Sequence, residues 1–130
     1  GYGDNTKAAL ITRGINEMFE IAKYYNANQK TFMGLSGLGD IIVTCTSRHS
    51  RNRYVGEKLG KGEKIEDIIK NMQMVSEGAE TIKALYKIIK ENNLNAPIFT
   101  ALYEVIYKGK PVTDLEKTFM SRDLKSEFSN

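Results

Sequence analysis

Apolar residues recur at steps of three and four along nearly the whole chain, and only one segment, Ile41–Thr46, has the composition of a strand. Five of those six residues are β-branched, which by propensity favours an extended conformation. A lone strand leaves its backbone N–H and C=O groups without partners, and no other segment offers a convincing second strand. Ile41–Thr46 is therefore expected to be helical, and the fold class all-α.

The stripes and their stop signals divide the chain. From Thr6 to Tyr25, the residues Ala8, Ile11, Ile15, Met18, Ala22 and Tyr25 form one apolar face, with Arg13, Glu17, Glu20 and Lys23 largely outside it. Asp4, Asn5 or Thr6 can cap this helix. Gly14 within it implies close packing against another helix or the approach of backbone or ligand. Asn26–Gln29 stops it, and Thr31–Leu35 reads as a short helical turn. Gly34, Gly37 and Gly39 then crowd together, at a spacing that matches neither a dinucleotide fingerprint nor a phosphate loop. Ser50 is a good cap for a helix carrying Tyr54, Val55 and Leu59. Lys64–Met72 places Ile65, Ile68, Ile69 and Met72 on one face. Ser76 can cap a helix reaching Glu91, with Ile82, Leu85, Tyr86 and Ile89 inward. Pro97 opens the next helix, with Ile98, Leu102, Val105 and Ile106 inward and Gly109 as its stop. Pro111 begins the last, with Val112, Leu115 and Phe119 inward. Met120–Asn130 is polar and reads as a loose tail. The expectation is one compact domain of about seven helices, counted from these stop signals.

Length and charge narrow the function class. The 130 residues suit one core, and the net charge of +3 permits an anionic ligand without requiring nucleic acid. No run approaches the roughly 20 apolar residues of a membrane span. One cysteine cannot form an intrachain disulfide, which fits a reducing compartment. The chain lacks an initiating Met, and Gly1-Tyr2-Gly3 reads as the middle of a loop, so a fragment of a longer protein is expected.

Gly37–Arg53 is the stretch that departs from ordinary core. Asp40 precedes the apolar run, and behind it come hydroxyls, Arg48, Arg51, Arg53, the only histidine, His49, and Asn52. The start of the helix after Ser50 presents free backbone N–H groups, which favour an anion. Arginines in that first turn oppose the helix dipole, which makes most sense if an anion binds there; solvated surface side chains are the plainer alternative. Cys45, among apolar neighbours, reads as a buried and inert thiol. His49 can reach it only if one helix carries both. One His and one Cys make a metal site improbable. Glu77 and Glu80 are most simply first-turn acids.

Three passages together resemble one family. They are Gly3-Asp4-Asn5-Thr6-Lys7-Ala8-Ala9-Leu10-Ile11-Thr12-Arg13-Gly14, then Gly37–Arg53 with its GLGD, TCT and SRNR, then Val75-Ser76-Glu77-Gly78. In that order they are similar to the C-terminal domain of bacterial NAD(P)-dependent glycerol-3-phosphate dehydrogenases, and a late Met120-Ser121-Arg122 with Leu124-Lys125 extends the likeness over essentially the whole chain. The resemblance implies that residues 1–130 form the all-α substrate domain, similar to the C-terminal domain-like fold of 6-phosphogluconate dehydrogenase, with the N-terminal Rossmann domain outside this chain. It implies interconversion of dihydroxyacetone phosphate and sn-glycerol 3-phosphate with NAD or NADP, for glycerophospholipid synthesis in the cytoplasm, with a homodimer as a possible assembly.

Carried over position by position, the motif aspartate falls on Asp40, near the catalytic lysine and the substrate. Ser50, Arg51 and Asn52 fall on the residues that bind the substrate phosphate. Arg51 also meets the dinucleotide, with Val75 and Glu77 on the cofactor side. Thr44 and Lys7 match positions facing the site. The family's catalytic lysine and nucleotide loop lie upstream of the first motif, and Lys7 is not that lysine. No catalytic residue proper is therefore expected in these residues, nor turnover by the chain alone. Two other readings are a basic helical nucleic-acid-binding module, using Arg48, Arg51, Arg53, Lys58 and Lys61, and a ligand-free dimerisation module. The first lacks a recognition-helix pattern and an extreme pI.

Overall fold

The computed structural model describes residues 1–72 and 77–120. Among them are eight α-helices, one π-helical turn and no strand. The helices are α1 (Asp4–Lys23), α2 (Gln29–Phe32), α3 (Asp40–Thr46), α4 (Arg51–Gly60), α5 (Ile65–Lys70), α6 (Glu77–Glu91), α7 (Pro97–Lys108) and α8 (Val112–Met120), with the π turn at Leu35–Gly39. The all-α expectation holds, and Ile41–Thr46 is helical despite its β-branched composition. The one-turn α2 is too short for periodicity to register, and the expected turn at Thr31–Leu35 straddles its end and the π turn. The expected cap Ser76 and the tail beyond Met120 lie outside the described residues.

The core has two centres. Val55, Ile65, Ile68, Ile82 and Ile106 join α4, α5, α6 and α7. Ile21, Ile89 and Ala96 tie α1 to α6 and to the entry of α7. The α6–α7 pair is central: Tyr86 stacks on Tyr103 with ring centroids 3.8 Å apart, and the Tyr107 hydroxyl donates to the Ala79 carbonyl at 2.6 Å. Asn26, Asn93 and Gly109, all at positive φ, stop the helices before them.

Several expected details change. Gly3, not a side chain of Asp4, Asn5 or Thr6, stands at the start of α1. Asp4 is already inside the helix, where its carboxylate takes a hydrogen bond from Lys7. The helix ends before Tyr25, which is exposed. Ile69 is also exposed, because α5 stops at Lys70 after less than two turns. A Cβ at Gly14 would meet nothing within 4 Å, so no described neighbour explains that glycine by close packing.

The largest correction concerns Glu17, expected on the wet face of α1 and in fact only 3% exposed. Helix α7 starts at Pro97, which has no N–H, and Ala96 supplies no side-chain cap. The Ile98 N–H donates to both Glu17 carboxylate oxygens, at 3.0 and 2.9 Å, and the Phe99 N–H donates to one of them at 3.3 Å. The Thr100 N–H is taken by Ala96 O. Every N–H in the first turn of α7 thus has an acceptor, and a negative charge sits at the positive end of the helix dipole.

Glu17→Ala would strip the buried Ile98 N–H and the half-buried Phe99 N–H of their acceptor. The expected loss is about 2–4 kcal/mol in urea unfolding, with about half of it recovered in Glu17→Gln, whose carbonyl still accepts. A loss below about 0.5 kcal/mol, the usual range for a surface change, would show that the carboxylate does not hold α1 to α7.

Candidate functional site

The site begins with a close backbone approach. Gly37 is buried in the π turn, and a Cβ there would collide with the backbone of Phe32. Only glycine lets α2 fold back on the π turn and so fix the start of α3. Helix α3 buries no residue, and its outward side shows Ile42 and Val43. It ends at Ser47, in a turn where the His49 N–H donates to Ser47 Oγ at 3.2 Å and the Ser50 N–H to Ser47 O at 3.2 Å. The chain then enters α4, where Ser50 Oγ accepts from the Arg53 N–H at 3.2 Å, the cap that the sequence suggests.

Between α3, the start of α4 and the start of α6 lies an open cleft of about 310 Å³. Thr44, Ser50, Arg51, Asn52 and Glu77 all line it, so five of the residues singled out in the sequence meet in one place. Asp40 does not line it; it is exposed at the first position of α3, one turn before Thr44. Lys7 is on α1, paired with Asp4 at 2.9 Å. Val75 lies outside the described residues.

The cleft gathers hydrogen-bond donors and hydroxyls beside one carboxylate, Glu77. The first-turn N–H groups of a helix have no acceptor within it; Arg51 adds a guanidinium, and Thr44 and Ser50 add hydroxyls. Ser47 and His49, both within the polar stretch Gly37–Arg53 but given no site role from the sequence, also line the cleft. A second missed contact is the Gly78 N–H, which donates to Asn52 Oδ1 at 3.1 Å and ties α6 to α4. Glycine in the first turn of a helix was the available signal, since it costs helix stability unless something must come close.

A second cavity, of about 360 Å³, lies between α1, α6 and α7, with Ile21, Leu85 and Phe99 among its walls. No charged side chain lines it, so it offers no purchase to an anion. Among the described residues no group of three His, Cys, Asp or Glu side chains can hold a metal.

Comparison with known proteins shows the family. Residues 1–117 match the family described as the NAD-dependent glycerol-3-phosphate dehydrogenase C-terminus. The chain belongs to that family. It is similar to glycerol-3-phosphate dehydrogenase [NAD(P)+] of Chlorobium limicola, at 47% identity over 98% of this chain and 38% of the relative. The enzyme of the same description from Lacticaseibacillus paracasei is 49% identical over 98% of this chain and 36% of the relative. The crystal structure of glycerol-3-phosphate dehydrogenase from Coxiella burnetii superposes with a TM-score of 0.88 at 28% identity, over 92% of this chain and 37% of that one. The chain thus spans less than two fifths of the length of these relatives. The nucleic-acid and ligand-free dimerisation readings find no support in these matches.

Cys45 departs from expectation. It is exposed rather than buried, because α3 rests on its neighbours by one side only. His49 is beyond the end of α3, so no helix carries both residues. Partial desolvation pushes the Cys45 thiol above its ordinary range, which lowers the thiolate fraction at neutral pH. Maleimide should therefore label native Cys45 completely but several-fold more slowly than the urea-unfolded chain at pH 7.5. Faster labelling of the native state would reveal an activated thiolate.

Proposed function

We propose that the chain is the substrate domain of an NAD(P)-dependent glycerol-3-phosphate dehydrogenase, interconverting dihydroxyacetone phosphate and sn-glycerol 3-phosphate. The observation that carries the reading is the convergence of Ser50, Arg51 and Asn52 at the mouth of one cleft, with Thr44 and Glu77 on its other walls. A phosphate monoester carries nearly two negative charges at neutral pH. The start of α4 supplies backbone donors and a favourable dipole, and Arg51 supplies a planar fork for two phosphate oxygens.

In this reading the phosphate is the handle, and its binding energy orients the carbonyl for reaction. Thr44 donates or accepts from the wall of α3. Asp40, exposed one turn away, would hold by charge a lysine from outside these residues, and that lysine would serve as proton donor to the carbonyl oxygen. The nicotinamide dinucleotide, NAD or NADP, supplies the hydride. Arg51 and Glu77, which line the cleft, would face the dinucleotide, Arg51 as a cation and Glu77 as an acceptor. Val75 belongs to the same side by motif.

The rest of the enzyme, an N-terminal Rossmann domain, would seat beside the cleft. Val43, 63% exposed, lines the cleft from α3, and Leu35, 92% exposed, begins the π turn before it; exposed apolar groups of this kind suit a covering domain. No helix among the described residues is long and apolar enough to cross a membrane. We place the enzyme in the cytoplasm, as a source of the glycerol phosphate backbone for lipid synthesis, with a homodimer as its possible assembly.

Two outcomes follow. These 130 residues alone should not oxidise NADH in the presence of dihydroxyacetone phosphate; turnover by them would contradict the assignment of the lysine. In the full-length enzyme, Arg51→Ala should raise the KM for dihydroxyacetone phosphate by about 10- to 100-fold, the worth of charge-assisted hydrogen bonds, while the fold survives. An unchanged KM would remove Arg51 from the phosphate site.

A further inference from the structure

Helix α6 starts against the phosphate cleft, and its second residue is Gly78. The Gly78 N–H donates to Asn52 Oδ1 at 3.1 Å. A Cβ built on Gly78 would lie 2.6 Å from Asn52 Oδ1, 2.9 Å from Cγ and 3.1 Å from Nδ2. The start of α6 is also fixed from the other side, where the Tyr107 hydroxyl donates to Ala79 O at 2.6 Å. Gly78 therefore presses on Asn52 from a backbone that cannot easily retreat.

The contact has a chemical consequence. A carboxamide has one accepting end and one donating end. With Oδ1 committed to a backbone N–H, Nδ2 is the end that can meet an anion in the cleft. A flipped amide would bring a carbonyl oxygen toward the phosphate and repel it. We infer that Gly78 is a positioning residue for the phosphate site: its N–H fixes which end of Asn52 serves the ligand, and its missing side chain leaves Asn52 room to stand there. This rests on the phosphate reading of the cleft. It also joins the two halves of the site, because the same bond anchors the start of α6, which bears Glu77, to the helix that bears Arg51.

The geometry predicts how substitutions separate. In Gly78→Ala the new methyl group meets the end of a flexible side chain rather than backbone, so Asn52 moves and the fold persists. Asn52→Asp keeps the acceptor for the Gly78 N–H but loses the donor and adds a repelling charge. Asn52→Ala loses both.

The test is calorimetric titration of the full-length enzyme and these variants with sn-glycerol 3-phosphate, alongside hydrogen exchange at the Gly78 amide. Wild type should bind, with the Gly78 amide protected. Gly78→Ala should weaken binding at least 10-fold at unchanged secondary structure, and adding it to Asn52→Ala should cost less than 2-fold more. Asn52→Asp should keep the amide protected while binding falls about 100-fold, as expected when a donor to a charged group becomes a like charge. Gly78→Ala binding as tightly as wild type would overturn the inference, as would Asn52→Asp binding normally. If Gly78→Ala fails to fold, Asn52→Asp decides alone. Wild type failing to bind would instead sink the phosphate reading, and this inference with it; the amide protection would still show whether the Asn52–Gly78 bond exists.

Discussion

The N–H groups at the start of a helix have no acceptor within it, and an all-α domain must answer that constraint at each start. Here the answers differ, and the differences organise the structure. Helix α7 is answered from within, by the Glu17 carboxylate reaching across from α1. That contact is buried, spans 81 residues of sequence, and sets where α1 crosses the central pair. At helix α4, Ser50 Oγ accepts from the Arg53 N–H, and the opening turn faces a cleft. The same physics that places an internal anion at one helix start underlies the proposal that the other receives an external one.

The cleft owes its shape to elements that are not themselves core. Helix α3 buries none of its residues and is held by the π turn and by α4. The π turn is held because Gly37 lets it touch the backbone of Phe32. Helix α6 comes close to α4 because Gly78 has no side chain, and Tyr107 steadies it from α7. Rigid packing in α4–α7 thus supports a site assembled at its edge, and the exposed apolar rim around α3 is consistent with a domain that works against another one.

Much of this was legible in the chain. The helical reading of Ile41–Thr46 followed from the absence of a partner strand, an argument about hydrogen bonds that outweighed propensity. The Ser50 cap and the stops at Asn26 and Gly109 are local chemistry, visible within a few residues. The convergence of Thr44, Ser50, Arg51, Asn52 and Glu77 came from motif resemblance, since no periodicity brings Glu77 to Arg51. What escaped was long-range or one-sided. Glu17 looks like any wet-face acid until α7 arrives without a cap of its own. The Asn52–Gly78 bond joins residues 26 apart. Cys45 was assigned to the core because its neighbours are apolar, but apolar neighbours on a lone edge helix face outward as well as inward. Asp40, singled out by the motif, stands off the cleft at the start of α3.

The central claim is that the start of α4 grips a phosphate monoester. A crystal structure of the full-length enzyme with sn-glycerol 3-phosphate tests it most directly. The account predicts phosphate oxygens within hydrogen-bond distance of Ser50, Arg51 and Asn52, with the glycerol end directed toward Thr44 and Asp40. A phosphate held elsewhere, with the cleft at α4 filled only by water, would contradict it.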